Sequence, residues 1–327
     1  MVSRTERYFL DLFLASSLPV AAERAAESVK IKFCSDPSAL PVDVFNLAQA
    51  NGLKICQDLP ERGATDAVLI PRKHGYLVRL RRDVPTGRKR FSLAHELGHT
   101  FFYRDNGQGP RHAIGILDRT EHEAEERACD HFAGFLLMPI DRIRERFHGL
   151  AGDQPSEFLR RCDSACLDFL VSKEAFIRHA GRANIDGPPY LVVRSSFRPN
   201  PRTKEDPDLR TDWFATVGGW RRSGHVSTHH RLWPIGLKSA CQLYHEWSAT
   251  KTRGVFALDG LGHLVHSPAD LCSCREDLSI SINLDNKWRL TRQTYISANC
   301  LYTWDNAEGS TEAYVISVAA PTGGDAV

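Results

Sequence analysis

No stretch of the sequence approaches the roughly 18 consecutive apolar residues of a membrane-crossing helix, so a membrane span is not expected. Neither charge is in excess: 42 Lys and Arg nearly cancel 40 Asp and Glu, leaving +2. That balance speaks neither for nor against nucleic acid, and only local clusters bear on it. There is no cysteine framework either. The nine cysteines are odd in number and follow no repeated spacing, which reads as reduced thiols in a cytoplasmic protein. Internal repeats and low-complexity tracts are lacking too, so no repeat architecture is expected. The N-terminus offers only a faint likeness to a signal peptide. Arg4 and Arg7 precede an apolar run, but Asp11 interrupts it, and Phe9, Leu10, Phe13 and Leu14 recur at helical spacing. An amphipathic helix docked on the body fits better.

What is present suffices for a sizeable core. Apolar residues make up 42% and charged residues 25% of 327 positions, room for two or three domains. Residues 1–40 read as a helical extension, with one or two helices over 4–30 broken near Pro19. A helix is expected over 41–50 and short strands at 53–55 and 67–70. A longer strand is expected at 76–80. A basic link, Arg79 to Arg90, leads into a helix over 91–102. A loop follows, then a helix over 120–137 that Thr120 and Glu123 would cap and Pro139 ends. Helical patterns continue to about 181. Beyond 183, Pro and Gly punctuate the chain, β-prone stretches replace helices and the Trp residues gather. The expected fold class is therefore α+β: helices with a small sheet over 41–182, then a β-rich domain over 183–327.

The chemistry concentrates in Phe91-Ser-Leu-Ala-His-Glu-Leu-Gly-His99. On a helix His95 and His99 are one turn apart, so both imidazoles leave the same face and can reach one ion. Glu96 cannot join that coordination, but it can take a proton from a water activated there. The bland alternative is a coincidence on a surface helix. Ala94, Leu97, Gly98, Phe101 and Phe102 leave this helix little solvated face, and a buried His or Glu needs a partner.

A hydrolytic zinc site keeps three protein ligands and an open position. In Glu125-Glu126-Arg-Ala-Cys-Asp130, the apolar stripe runs through Cys129, Phe132, Ala133 and Leu136, with Glu126 and Asp130 at its edge. Glu126 is the expected third ligand. Asp130 would accept the spare N–H of a ligand histidine and fix its tautomer. His112, His122, His131 and Cys129 remain rival donors. Glu121, Glu123 and Glu125 read as solvated first-turn acids favoured by the helix dipole.

Arg90-Phe-Ser-Leu-Ala-His-Glu-Leu-Gly-His followed by Glu126-x-x-x-Asp130-x-Phe-Ala-x-x-Leu-Leu-Met-Pro139 resembles the ImmA/IrrE family of metallo-endopeptidases. The likeness covers about residues 41–195 and departs at Cys129-Asp130, where members more often carry Ala-Asn. It implies a zincin-like peptidase domain holding Zn2+ through His95, His99 and Glu126, with Glu96 as base and substrate lying along an edge strand. Residues 76–80 are the candidate for that strand. It further implies a protein substrate such as a transcriptional repressor or antitoxin, with 183–327 as a sensor or substrate-recognition domain.

Other signals are weaker. Residues 155–181 pattern as a helix-turn-helix with Lys173, Arg178 and Arg182 facing phosphate, or as a helical hairpin packed under the core; the hairpin is preferred. His263, His266, Cys272 and Cys274 gather four soft ligands at a spacing too tight to favour one ion. The group His225, His229 and His230 is weaker still. Tyr103, Arg111 and His112 are candidates to stabilise an oxyanion. The rival reading is a DNA-binding or sensor protein with a non-catalytic zinc site, for which Glu96 would have no use.

Overall fold

The computed structural model describes residues 2–60, 65–72, 75–103, 119–150, 155–182, 190–199 and 207–218, and the strands 254–258, 264–265, 274–284, 287–305 and 311–321. The chain is α+β and forms two compact units. One holds Met1–Glu145 with Asp163–Ala183, the other Arg146–Cys162 with Asn184–Val327.

The first unit opens with α1 (Arg4–Leu12) and α2 (Leu18–Phe33). The break between them falls just before Pro19, which sits in the first turn of α2, where its missing N–H loses no bond. The next helix, α3 (Val44–Ala50), starts later than Pro41 because the Asp43 side chain accepts the backbone N–H of Asn46 and sets the cap there. Three strands follow: β1 (Leu53–Leu59), β2 (Ala67–Arg72) and β3 (Gly75–Arg81). Their order is β1-β3-β2, with β1 parallel and β2 antiparallel to β3.

This order corrects the edge-strand expectation. Residues 76–80 lie in the central strand, where Val78 and Leu80 are buried and both flanks are hydrogen-bonded. The edge strands are β1 and β2, and β2 is the edge that packs on the helix over Thr86–His99. Asp66 O accepts from Arg81 N, so by the two-residue period Val68 and Ile70 also turn their backbone groups to β3. Ala67, Leu69 and Pro71 face outward, the side on which a proline without an N–H is tolerated.

The core lies between α4 (Thr86–His99), which continues into a 3-10 turn over Thr100–Phe102, and α5 (Arg119–Leu137). Leu93, Ala94 and Leu97 of α4 and Ala128, Cys129, Phe132, Ala133 and Leu136 of α5 are buried. Gly98 permits the close approach, since a Cβ there would lie 3.1 Å from the Cα of Cys129. From α2, Ala21, Ala22, Ala25 and Ala26 form a buried face of small side chains, and α2 packs on α5. The basic link is answered by acids: Arg79 pairs with Asp58 (2.9 Å), Arg81 with Asp83 (2.8 Å) and Arg88 with Asp66.

After α6 (Ile140–Phe147) and α7 (Pro155–Phe169), α8 (Lys173–Arg182) packs on α5. Lys173 pairs with Asp163 and Arg178 with Glu174, while Phe176, Ile177 and Ala180 are buried. Two of the three residues of the phosphate-facing set are thus engaged within the protein. Arg90, itself buried, donates to Val42 O (2.7 Å) and Leu170 O (3.1 Å), tying α4 to the segments before α3 and after α7.

The second unit is a seven-stranded antiparallel sheet of β4 (Tyr190–Pro199), β5 (Pro207–Val217), β6 (Gly254–Leu258), β7 (Leu264–Val265), β8 (Cys274–Leu284), β9 (Lys287–Asp305) and β10 (Thr311–Pro321). The order is β5-β4-β10-β9-β6-β7, with β8 also on β9. The sequence groups Arg146–Cys162 with the preceding helices; in the structure they cluster with the sheet, where Phe158 stacks on Tyr190 (4.4 Å) and on Phe147 (5.2 Å). His225, His229, His230, His263, His266 and Cys272 lie outside the described residues, as do Arg111 and His112. No helix among the described residues is long and apolar enough to cross a membrane.

Candidate metal centre

One turn apart on α4, His95 and His99 cross edge to face with ring centroids 4.9 Å apart. Their Nε2 atoms are 3.2 Å from each other. Glu126 on α5 meets them from across the helix pair, with Oε2 3.2 Å from His95 Nε2 and Oε1 3.6 Å from His99 Nε2. The other nitrogen of each ring is held as well. His95 Nδ1 lies 3.1 Å from Asp130, and His99 Nδ1 lies 2.7 Å from Glu125.

Asp130, the carboxylate expected to meet a histidine N–H, faces His95. Glu125 is not a solvated first-turn acid but is 5% exposed, and it orients the second imidazole. A signal for this existed. Glu125 lies one turn before Cys129 and so extends the apolar stripe of α5. Glu121 is engaged too, accepting the backbone N–H groups of Arg4 and Thr5, while Glu123 pairs with Arg119 at the surface.

A carboxylate oxygen accepts, so with each Nδ1 donating to its carboxylate the Nε2 of each ring is left to face Glu126. With both rings neutral, the two Nε2 lone pairs and the Glu126 oxygens converge on one point, an arrangement that calls for a positive charge. A metal ion supplies it, or the proton that His95 Nε2 otherwise donates to Glu126. Protonation expresses the same demand. Burial lowers the pKa of His95, yet hydrogen bonds to Asp130 and Glu126 and their charges outweigh it and push the ring up to about 10. The hydrogen bond from His95 holds the Glu126 carboxyl below its ordinary range, against burial. Two imidazoles and an ionised carboxylate are the donor set of a hydrolytic zinc site, so the residues fit that ion.

Cys129 also brings a ligand atom within 4.8 Å of the two imidazoles. Its thiol is fully buried, and burial together with the charges of Glu125, Glu126, Glu96 and Asp130 pushes its pKa well above the ordinary thiol value. A metal binds thiolate, which this surrounding disfavours, whereas Glu126 is already ionised. Of the other rival donors, His122 reaches only within 3.8 Å of Glu126 from an exposed position.

The centre opens into a cavity of about 610 Å³ lined by residues 67–69 of β2, Phe91 and Ser92 of α4, Tyr103 and His122. Glu96 lies in it, 8% exposed. Burial raises its pKa; His99 and His95 pull it back, as does the backbone N–H of Leu69 on the edge strand. Burial likewise raises the Tyr103 phenol, which stays neutral and able to donate; its ring packs on Tyr76 at 6.1 Å.

Two crossed helices carrying these donors beside a small three-stranded sheet fit a zincin-like core. Residues 48–176 match the model of the IrrE N-terminal-like domain family. No curated protein matches the chain. A solved structure of a Mycobacterium tuberculosis transcriptional regulator shares the fold at 12% identity, with a TM-score of 0.52 over 97% of this chain and 80% of that one.

Proposed function

We propose that this chain is a zinc-dependent endopeptidase, with His95, His99 and Glu126 as ligands and Glu96 as general base. The observation that carries it is the buried Glu96 carboxylate in the same cavity as three converging donors. A structural metal site has no use for such a group, which also weighs against a purely DNA-binding or sensing role.

When bound, the ion supplies Lewis acidity toward the attacking water and the peptide carbonyl. The chain does the rest. The outward carbonyl groups of Ala67, Leu69 and Pro71 and the N–H of Ala67 are offered to an extended peptide, which adds as a further strand on β2. Glu96 takes a proton from the attacking water and returns it to the departing amine as the C–N bond breaks. Burial brings its pKa nearer the working range of a base, and the Leu69 N–H holds the carboxylate toward the peptide. The neutral Tyr103 hydroxyl is a donor for the oxygen that gains charge. Adding a strand requires an extended, accessible stretch, which a folded protein offers in a linker or loop. We therefore take the substrate to be one cytoplasmic regulatory protein, repressor-like or antitoxin-like, selected with the help of the β-rich unit.

The test is metal content and cleavage in three variants. Glu126→Ala is expected to lose zinc; Glu96→Gln to keep zinc and lose turnover, on the order of 10²–10⁴-fold; Cys129→Ser to keep both. Full zinc in Glu126→Ala together with loss in Cys129→Ser would move the third ligand to the thiol. New N-termini in host lysate, read by mass spectrometry, report selectivity, and indiscriminate cleavage would overturn the regulatory reading.

A further inference from the structure

The segment before the matched domain reaches both helices of the centre. Glu121, in the first turn of α5, accepts the backbone N–H of Arg4 (3.0 Å) and of Thr5 (2.7 Å). These are the first two residues of α1, whose unpaired N–H groups and positive dipole end favour a carboxylate. The same carboxylate sits at the N-terminal end of α5, so one charge serves two helix starts. Nearly two turns on, Arg127 approaches Glu6 of α1 at 3.8 Å. Glu121 precedes Glu125 by four residues and thus shares its helix face. One of these side chains holds α1 and the other holds His99.

α1 also packs on the 3-10 turn that continues α4. Tyr8 Oη donates to Phe101 O (3.1 Å), and the Phe9 ring, 1% exposed, lies 5.4 Å from Phe102 and 5.9 Å from Phe101. Phe13 meets Phe101 at 5.3 Å, and Phe101 meets Phe132 of α5 at 5.1 Å. α1 therefore bridges the end of the helix that carries His95 and His99 and the start of the helix that carries Glu125 and Glu126.

We propose that Glu121 is a positioning residue for the metal centre: by anchoring α1 across the ends of α4 and α5, it fixes the turn of α5 from which Glu125 and Glu126 reach the histidines. This rests on reading the centre as a metal site. Segments outside the matched domain would then set metal affinity, and a partner that lifts α1 would loosen the centre without entering the cavity.

The test uses the full chain. Zinc affinity is measured by competition with a chromophoric chelator, and ligand geometry by the visible bands of the cobalt-substituted protein, in wild type, Glu121→Gln, Glu121→Ala and Phe9→Ala. Amide exchange over residues 4–12 reports release of α1, and the melting temperature reports global stability. Glu121→Ala is expected to weaken zinc about tenfold or more and to shift the cobalt bands while the melting temperature hardly moves. Glu121→Gln, which keeps an acceptor oxygen, loses less. Wild-type zinc affinity and cobalt bands in Glu121→Ala, with α1 exchanging freely, would overturn the proposal. Absence of zinc binding in the wild type would instead overturn the metal reading beneath it. If Phe9→Ala does not fold, Glu121→Ala, altered at a part-exposed side chain, decides alone.

Discussion

Glu125 and Asp130 show how far single residues could be read in advance. Asp130 was legible because it lies one turn from Glu126 at the edge of the apolar stripe, where a carboxylate has an obvious imidazole to meet. Glu125 was misread because acids near a helix start are usually there for the dipole. What decides its role is long-range: α4 crosses at Gly98 closely enough to bring His99 within 2.7 Å. A buried, hydrogen-bonded carboxylate of this kind sets both the tautomer and the basicity of the ring. Glu125→Gln keeps an acceptor but removes the charge, and zinc affinity is expected to fall about 10–100-fold, read by chelator competition. An unchanged affinity would mean that His99 is oriented by something other than Glu125.

At the scale of elements, helix existence followed from apolar periodicity, while the roles of the strands did not. β2 and β3 have similar length and composition, and nothing local says which is flanked twice. The pairing of β1 with β3, between segments separated by β2, settles it. Helix spacing is equally hidden in sequence and depends on two glycines of the core pair. In an exposed helix, glycine to alanine gains about 1 kcal/mol. At Gly134 a Cβ would lie 2.3 Å from His179 Nδ1 and push the buried ring off Met138 O. Gly134→Ala is therefore expected to destabilise by about 1–3 kcal/mol in urea unfolding. A gain in stability would show that α5 and α8 are not packed as described.

At the scale of the whole molecule, the change of texture near 183 marks where the strands begin, but the compact units exchange Arg146–Cys162 across it. Composition could not reveal this, because Phe147 and Phe158 would serve a helical core as well as they serve the sheet. A chain ending at Ala183 would keep the donors His95, His99 and Glu126 but lose Tyr190, on which Phe158 stacks at 4.4 Å. Such a chain is expected to bind zinc while exposing apolar surface, with raised binding of a hydrophobic dye and a tendency to aggregate. A soluble, monomeric product without dye binding would mean that the sheet is dispensable to residues 146–162.

The bond between Arg4 and Glu121 joins positions 117 apart. A helix of nine residues does not persist alone in water, so α1 has nothing to order it until α5 exists. At ordinary rates of translation that interval is on the order of ten seconds, and closing so wide a span is itself slow. Order of synthesis and order of assembly therefore run in opposite directions here: α1 leaves the ribosome before α4 and α5, yet it is ordered only after both are in place.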